Sequence, residues 1–166
     1  MELLLRCLIV LVLLLVFVQD QRSRAVHWLL FPLLVVLFWA LKGFRWDWQP
    51  VAINLALLAL QLALLSLYFS LRHGRLVNVT DGMLGWGDLL FLAATAFYFS
   101  VLNFLLFYIL SLVIVLTVWL LWKPASKEIP LAGHQALLLA VLLLTTWSIW
   151  RVNLTDDGWL LSLSGR

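Results

Sequence analysis

The sequence predicts an all-α, polytopic membrane protein with about six transmembrane helices, and three observations carry that prediction. Of the 166 residues, 65% are hydrophobic and only 11% are charged, with a mean hydropathy of +1.08. The apolar residues gather into six runs of near-spanning length. Tryptophans mark the ends of those runs.

The composition excludes a soluble domain. Soluble domains carry about 25% charged residues, and this chain has too few polar side chains to cover a core in water. Lipid as the solvent removes that requirement. A spanning helix needs about 20 apolar residues, and six segments approach it, roughly 2–19, 26–42, 50–71, 88–103, 104–122 and 131–150. The first is read as a retained helix and not a cleaved signal. Glu2 and Arg6 interrupt its start, and Phe17-Val18-Gln19 is no small-residue cleavage site. The fourth and fifth run together, and Ser100 and Asn103 mark the turn expected between them. Trp28 and Trp39 lie near the ends of the second segment. Trp46 and Trp48 precede the third, Trp119 and Trp122 close the fifth, and Trp147 and Trp150 close the sixth. An indole, apolar with one N–H, favours the headgroup layer.

Residues 1–150 are therefore expected to form one six-helix membrane core, and residues 151–166 a short polar tail that is capped or disordered. Loops 1, 3 and 5 carry Arg22, Arg24, Arg72, Arg75, Lys123 and Lys127, six cations against four on the other side. That bias places those loops in the cytoplasm. The net charge of +3 is small and dispersed, so no nucleic-acid partner is expected. Cys7, the single cysteine, excludes an internal disulfide and a cysteine-based zinc site, and it is expected to pack within its apolar run. Three scattered histidines make no metal site, and no cofactor is expected.

Chemistry is sought in ionisable residues at membrane depth, which are costly to keep there. Asp20 directly follows the run Leu8–Val18. Asp88 follows Gly85-Trp86-Gly87 and precedes the run Leu89–Phe99. Two helices separate them, so both acids lie on the same side of the membrane. Two carboxylates at one interface are the minimum equipment for aspartic proteolysis, in which one holds a proton and the other acts as base on a water. Gly82, Gly85 and Gly87 let the backbone turn sharply beside Asp88. Taken singly, Asp88 also reads as a helix N-cap and Asp20 as a solvated loop acid beside Arg22 and Arg24. His134 is read as a helix-start histidine bonded locally. Asn54, Gln61 and Asn103 are read as amides bonding between helices.

The run Gly82-Met83-Leu84-Gly85-Trp86-Gly87-Asp88-Leu89-Leu90-Phe91-Leu92-Ala93-Ala94 resembles the Gly-x-Gly-Asp-x-Lys-Leu-Leu-Ala-Ala signature of type IV prepilin and preflagellin peptidases, the intramembrane aspartic proteases. Asp20-Gln21-Arg22-Ser23-Arg24-Ala25-Val26 resembles their first motif. Lys127-Glu128-Ile129-Pro130-Leu131-Ala132-Gly133-His134 resembles the Glu-Ile-Pro-Phe-Gly-Pro stretch that opens their last helix. The three elements stand in the family's order, and the 68-residue separation of the acids is similar. Leu90 stands where the signature has Lys, and the four-cysteine cytoplasmic loop of many members is absent, so the resemblance is to short, core-only members.

The resemblance implies a leader endopeptidase of the bacterial inner membrane, with Asp20 and Asp88 catalytic at the cytoplasmic face and Gly82, Gly85, Gly87 and Pro130 in support. Its implied substrate is a pilin-like precursor with a basic leader, and its implied setting is pilus or secretion machinery. Two rivals stand beside it. One is an inactive scaffold of the same fold. The other is a small channel or transporter subunit, against which no helix interior carries an ionisable residue apart from Arg6 near one end.

Overall fold

A computed structural model describes residues 1–45, 47–74, 85–122, 130–150 and 152–164. Trp46, Arg75, Gly82, Lys123, Lys127, Glu128 and Ile129, each given a part in the sequence reading, lie outside them. All regular structure among the described residues is helical: α1 (Glu2–Ser23), α2 (Leu30–Leu41), α3 (Trp48–His73), α4 (Trp86–Ala96), α5 (Val101–Trp122), α6 (Leu131–Thr145) and α7 (Gly158–Ser164). A π-helical turn, Thr146–Trp150, extends α6.

Each of the six apolar segments is a helix, and the fold is an all-α membrane protein. Four helices are long and apolar enough to cross a bilayer: α1, α3, α5 and α6 with its π turn. α2 and α4, of 12 and 11 residues, are shorter. At 1.5 Å per residue they reach only about 18 Å, against a hydrocarbon core of about 30 Å.

Helix α1 packs mainly against α6 and α2. Its buried stripe is Ile9, Val12, Leu13, Val16 and Asp20, the three- and four-residue spacing of one helical face. The facing stripe of α6 contains Ala132, Gly133, Ala136, Leu139, Ala140 and Leu143. Small residues let the two backbones approach, which is how helices gain contact in lipid. The rest of the core is aromatic-rich. Phe38 stacks on Tyr98 at 4.5 Å, and Phe99 on Phe107 at 5.2 Å. Cys7 does not join this core. It is exposed on the outer face of α1, because the buried stripe passes through Ile9 and skips position 7.

The break between α4 and α5 falls over residues 97–100, at Ser100 as expected. Asn103 lies inside α5. In lipid, backbone groups freed by such a break need partners, and polar side chains converge to supply them. Asn54 of α3 donates to the carbonyls of Ala96 (3.2 Å) and Phe99 (3.1 Å). Lys42 Nζ donates to the Phe97 carbonyl at 3.0 Å. The segment after α6 folds back to the same place. Asp157 Oδ1 accepts from the Ser100 hydroxyl at 2.5 Å and from the Asn103 N–H at 3.3 Å, and its Oδ2 accepts from the Leu102 N–H at 3.4 Å. It thereby caps the first turn of α5. The tail is a docked capping element here, with α7 following it.

Candidate active site

Asp20 is the last member of the buried stripe of α1 and is 7% exposed. Continuing the spacing from Ile9 through Leu13 and Val16 carries it onto α6. There its Oδ2 accepts the Gly133 N–H at 2.6 Å. The contact is close because residue 133 is glycine. A Cβ there would stand 2.8 Å from Asp20 Oδ2 and 2.9 Å from Asp20 Cβ.

Asp88 reaches the same helix end from another direction. Helix α4 begins at Trp86 with Gly85 as its N-cap, so Asp88 is the third helical residue and not the N-cap itself. Its Oδ2 accepts the Gly85 N–H at 3.2 Å, the reach-back of a capping box. Its Oδ1 accepts the Ala132 N–H at 2.7 Å.

The two acids therefore end on consecutive backbone amides, Ala132 and Gly133, in the first turn of α6. The charge of Asp20 is felt at Asp88. Those amides belong to the first-turn N–H groups that a helix cannot satisfy internally, and the helix dipole adds positive potential there. Each acid thus receives a strong hydrogen bond, and α6 receives two acceptors for its open end. Asp20 Oδ1 has no hydrogen-bond partner among the described residues.

Pro130 is the N-cap of α6, and its carbonyl accepts the His134 N–H at 3.3 Å. It fixes where α6 starts, and so which amides face the acids. His134 bonds locally, its Nδ1 lying 2.7 Å from the Pro130 carbonyl and 3.3 Å from the Gln21 amide nitrogen. Its ring meets Phe17 edge-on at 6.3 Å. Gly85 borders Asp88, since a Cβ there would lie 3.2 Å from Asp88 Oδ2. A Cβ at Gly87 would meet no atom of the described residues within 4 Å. Gly82 lies outside the described residues. Leu90 is 40% exposed on the outside of α4.

The sequence reading missed the amides of Ala132 and Gly133, because backbone donors carry no residue signature. A signal was present nevertheless: a Pro followed three residues later by Gly, at the start of an apolar helix, marks an open helix end that something approaches closely. Among the described residues no group of His, Cys, Asp or Glu is arranged to hold a metal ion. Comparison with protein-family models, curated proteins and solved structures finds no match to this chain.

Proposed function

We propose that this chain is an intramembrane aspartic endopeptidase that removes the short basic leader from a pilin-like precursor. One observation carries the reading: Asp20 from the end of α1 and Asp88 from the start of α4 meet on adjacent amides of α6. In this reading the two carboxyl groups share one proton. The ionised member takes a proton from water as its oxygen attacks the scissile carbonyl carbon. The protonated member gives its proton to the leaving amine as the C–N bond breaks. Asp20 Oδ1 is the oxygen free to face that water, and the space beside Gly87 accommodates the substrate backbone. The resemblance of the Asp88 and Asp20 segments to prepilin peptidases supplies the substrate class. The excess of cations on loops 1, 3 and 5 supports an active site facing the cytoplasm of a bacterial inner membrane.

The same hydrogen bonds favour a second reading, an inactive scaffold in pilus or secretion assembly. Carboxylates bound to helix amides also clamp α1, α4 and α6 together without any chemistry. Co-expression with a pilin-like precursor separates the two, comparing the wild type with Asp20→Asn and Asp88→Asn at equal membrane levels. Cleavage by the wild type and by neither variant supports the peptidase. Cleavage that persists in both variants, or is absent throughout while the variants lose thermal stability, supports the clamp.

A further inference from the structure

The end of the bundle opposite the acids holds a polar cavity that the peptidase chemistry leaves unused. Its volume is about 550 Å³, and Glu2, Arg6, Tyr98, Thr146, Trp147 and Asn153 contribute to its wall. Arg6 lies roughly 21 Å along α1 from Asp20 at the helical rise of about 1.5 Å per residue, so this is a separate place in the fold.

The wall is built around one cation with an unmet need. One Nη of Arg6 pairs with the Glu2 carboxylate, and the guanidinium lies 5.2 Å from the centroid of the Trp147 ring. Among the described residues, Arg6 Nε is buried with no hydrogen-bond partner. A buried donor on a charged group left unpaired is costly, so the site calls for an acceptor oxygen. The cavity is far larger than a single water needs, which is about 30 Å³. The π-helical turn Thr146–Trp150 that ends α6 forms one side of the cavity. It carries both Thr146 and Trp147 of the wall.

Charge and surroundings define the ligand. The side chain of Glu2 is 68% exposed and keeps acceptor capacity beyond its pair with Arg6. A cation lacking an acceptor beside an anion able to accept more fits a zwitterion, whereas an anionic ligand would meet Glu2. The neighbours of the wall residues in sequence are exposed and apolar: Leu3 (75%), Leu4 (62%), Ile149 (71%) and Trp150 (65%). A polar cavity with such flanks fits an amphiphile.

We propose that this cavity binds the phosphoethanolamine headgroup of a membrane phospholipid. The phosphate sits on the Arg6 guanidinium, with the Asn153 side-chain amide as a further donor. The primary ammonium sits on Glu2, and the acyl chains lie over Leu3, Leu4, Ile149 and Trp150. A trimethylated ammonium offers Glu2 no N–H, and the Trp147 face that would suit it is already covered by Arg6. The proposal does not rest on the peptidase reading.

The test uses the full chain, delipidated in mild detergent. Phosphatidylethanolamine, phosphatidylcholine and phosphatidylglycerol with identical acyl chains are added, with retention read by native mass spectrometry and stability by thermal unfolding. Water-soluble glycerophosphoethanolamine forms a separate arm. Preferential retention of phosphatidylethanolamine with a raised Tm is expected, and the soluble headgroup should produce neither. Arg6→Gln should weaken that retention about tenfold, the size of one charge-assisted hydrogen bond. Glu2→Gln should weaken it too while leaving phosphatidylglycerol retention equal or higher. Equal retention of the three lipids overturns the proposal, as does wild-type retention by both variants. Stabilisation by the soluble headgroup equal to that by the lipid overturns the membrane source. If Arg6→Gln does not fold, Glu2→Gln at its exposed position decides alone.

Discussion

Alanine at position 133 would place a methyl carbon 2.8 Å from Asp20 Oδ2, 2.9 Å from Asp20 Cβ and 3.3 Å from Asp20 Cγ. Rotation of the Asp20 side chain moves Oδ2 away but leaves Cβ, which is fixed to the backbone of α1. Carbon atoms sit comfortably at about 3.5–4.0 Å, so α1 and α6 must part locally. Overpacking of this kind costs about 1–3 kcal/mol, and losing the 2.6 Å bond from the Gly133 N–H to a carboxylate adds about 1.5–3 kcal/mol. Alanine recovers about 1 kcal/mol as the better helix former. The net expectation is a loss of about 1.5–5 kcal/mol. Displacing one carboxylate by a fraction of an ångström also lowers cleavage by about 10²-fold. Thermal unfolding in detergent and precursor cleavage at matched protein levels read the two effects. Pairing the variant with Asp20→Gly sharpens the attribution. That change removes Oδ2, Cγ and Cβ together, so the overpacking cost of Gly133→Ala should vanish in its background. A Gly133→Ala protein as stable and active as the wild type, or one whose cost persists beside Asp20→Gly, would refute the seating of Asp20 on α6.

Gly87→Ala provides the contrast. Its Cβ would enter open space, so stability should hold within about 0.5 kcal/mol, and a drop in cleavage without a drop in Tm would locate the substrate backbone beside Asp88. Asp157→Ala removes the cap on α5 and should lower stability by about 1–2 kcal/mol in thermal unfolding, with cleavage per folded molecule unchanged, since the capped end lies opposite the acids. Asn54→Leu leaves the carbonyls of Ala96 and Phe99 without this donor and should cost about 1–3 kcal/mol by the same measurement. An unchanged Tm for Asn54→Leu would mean that the α4–α5 break finds other partners.

Much of the architecture was legible because lipid imposes a simple demand: long apolar runs, with polar residues confined to breaks. Residues 50–71 and 131–150 became α3 and α6 with its π turn, within a few residues at either end. The fourth segment was read as longer than α4, which ends at Ala96, because hydropathy is indifferent to where a helix stops. The stop depends on Lys42, Asn54 and Asp157, which are remote in sequence from residues 97–100. Counting crossings put Asp20 and Asp88 on one side of the membrane, but not on adjacent amides. What holds them was not legible, because the holding groups are main-chain N–H donors of Ala132 and Gly133. In the sequence Gly133 figures only within the stretch that resembles Glu-Ile-Pro-Phe-Gly-Pro, although a helical glycine facing a buried acid is its physical meaning here.

The placement of the acids also bears on why a membrane protein tolerates them. An isolated carboxylate in a low-dielectric seam costs several kcal/mol after relaxation, yet Asp20 is buried between α1 and α6. Two features offset that cost at this one position: a short amide hydrogen bond and the positive end of α6. Each requires the start of α6 to lie where Pro130 puts it. A shift of one residue would turn Gly133 away and bring a side chain against Asp20. The open end of α6 and the burial of Asp20 are thus one arrangement. A clamp needs only the hydrogen bonds. Hydrolysis would also need an oxygen left for water and room for a peptide, and the precursor-cleavage comparison of Asp20→Asn and Asp88→Asn with the wild type decides between the two.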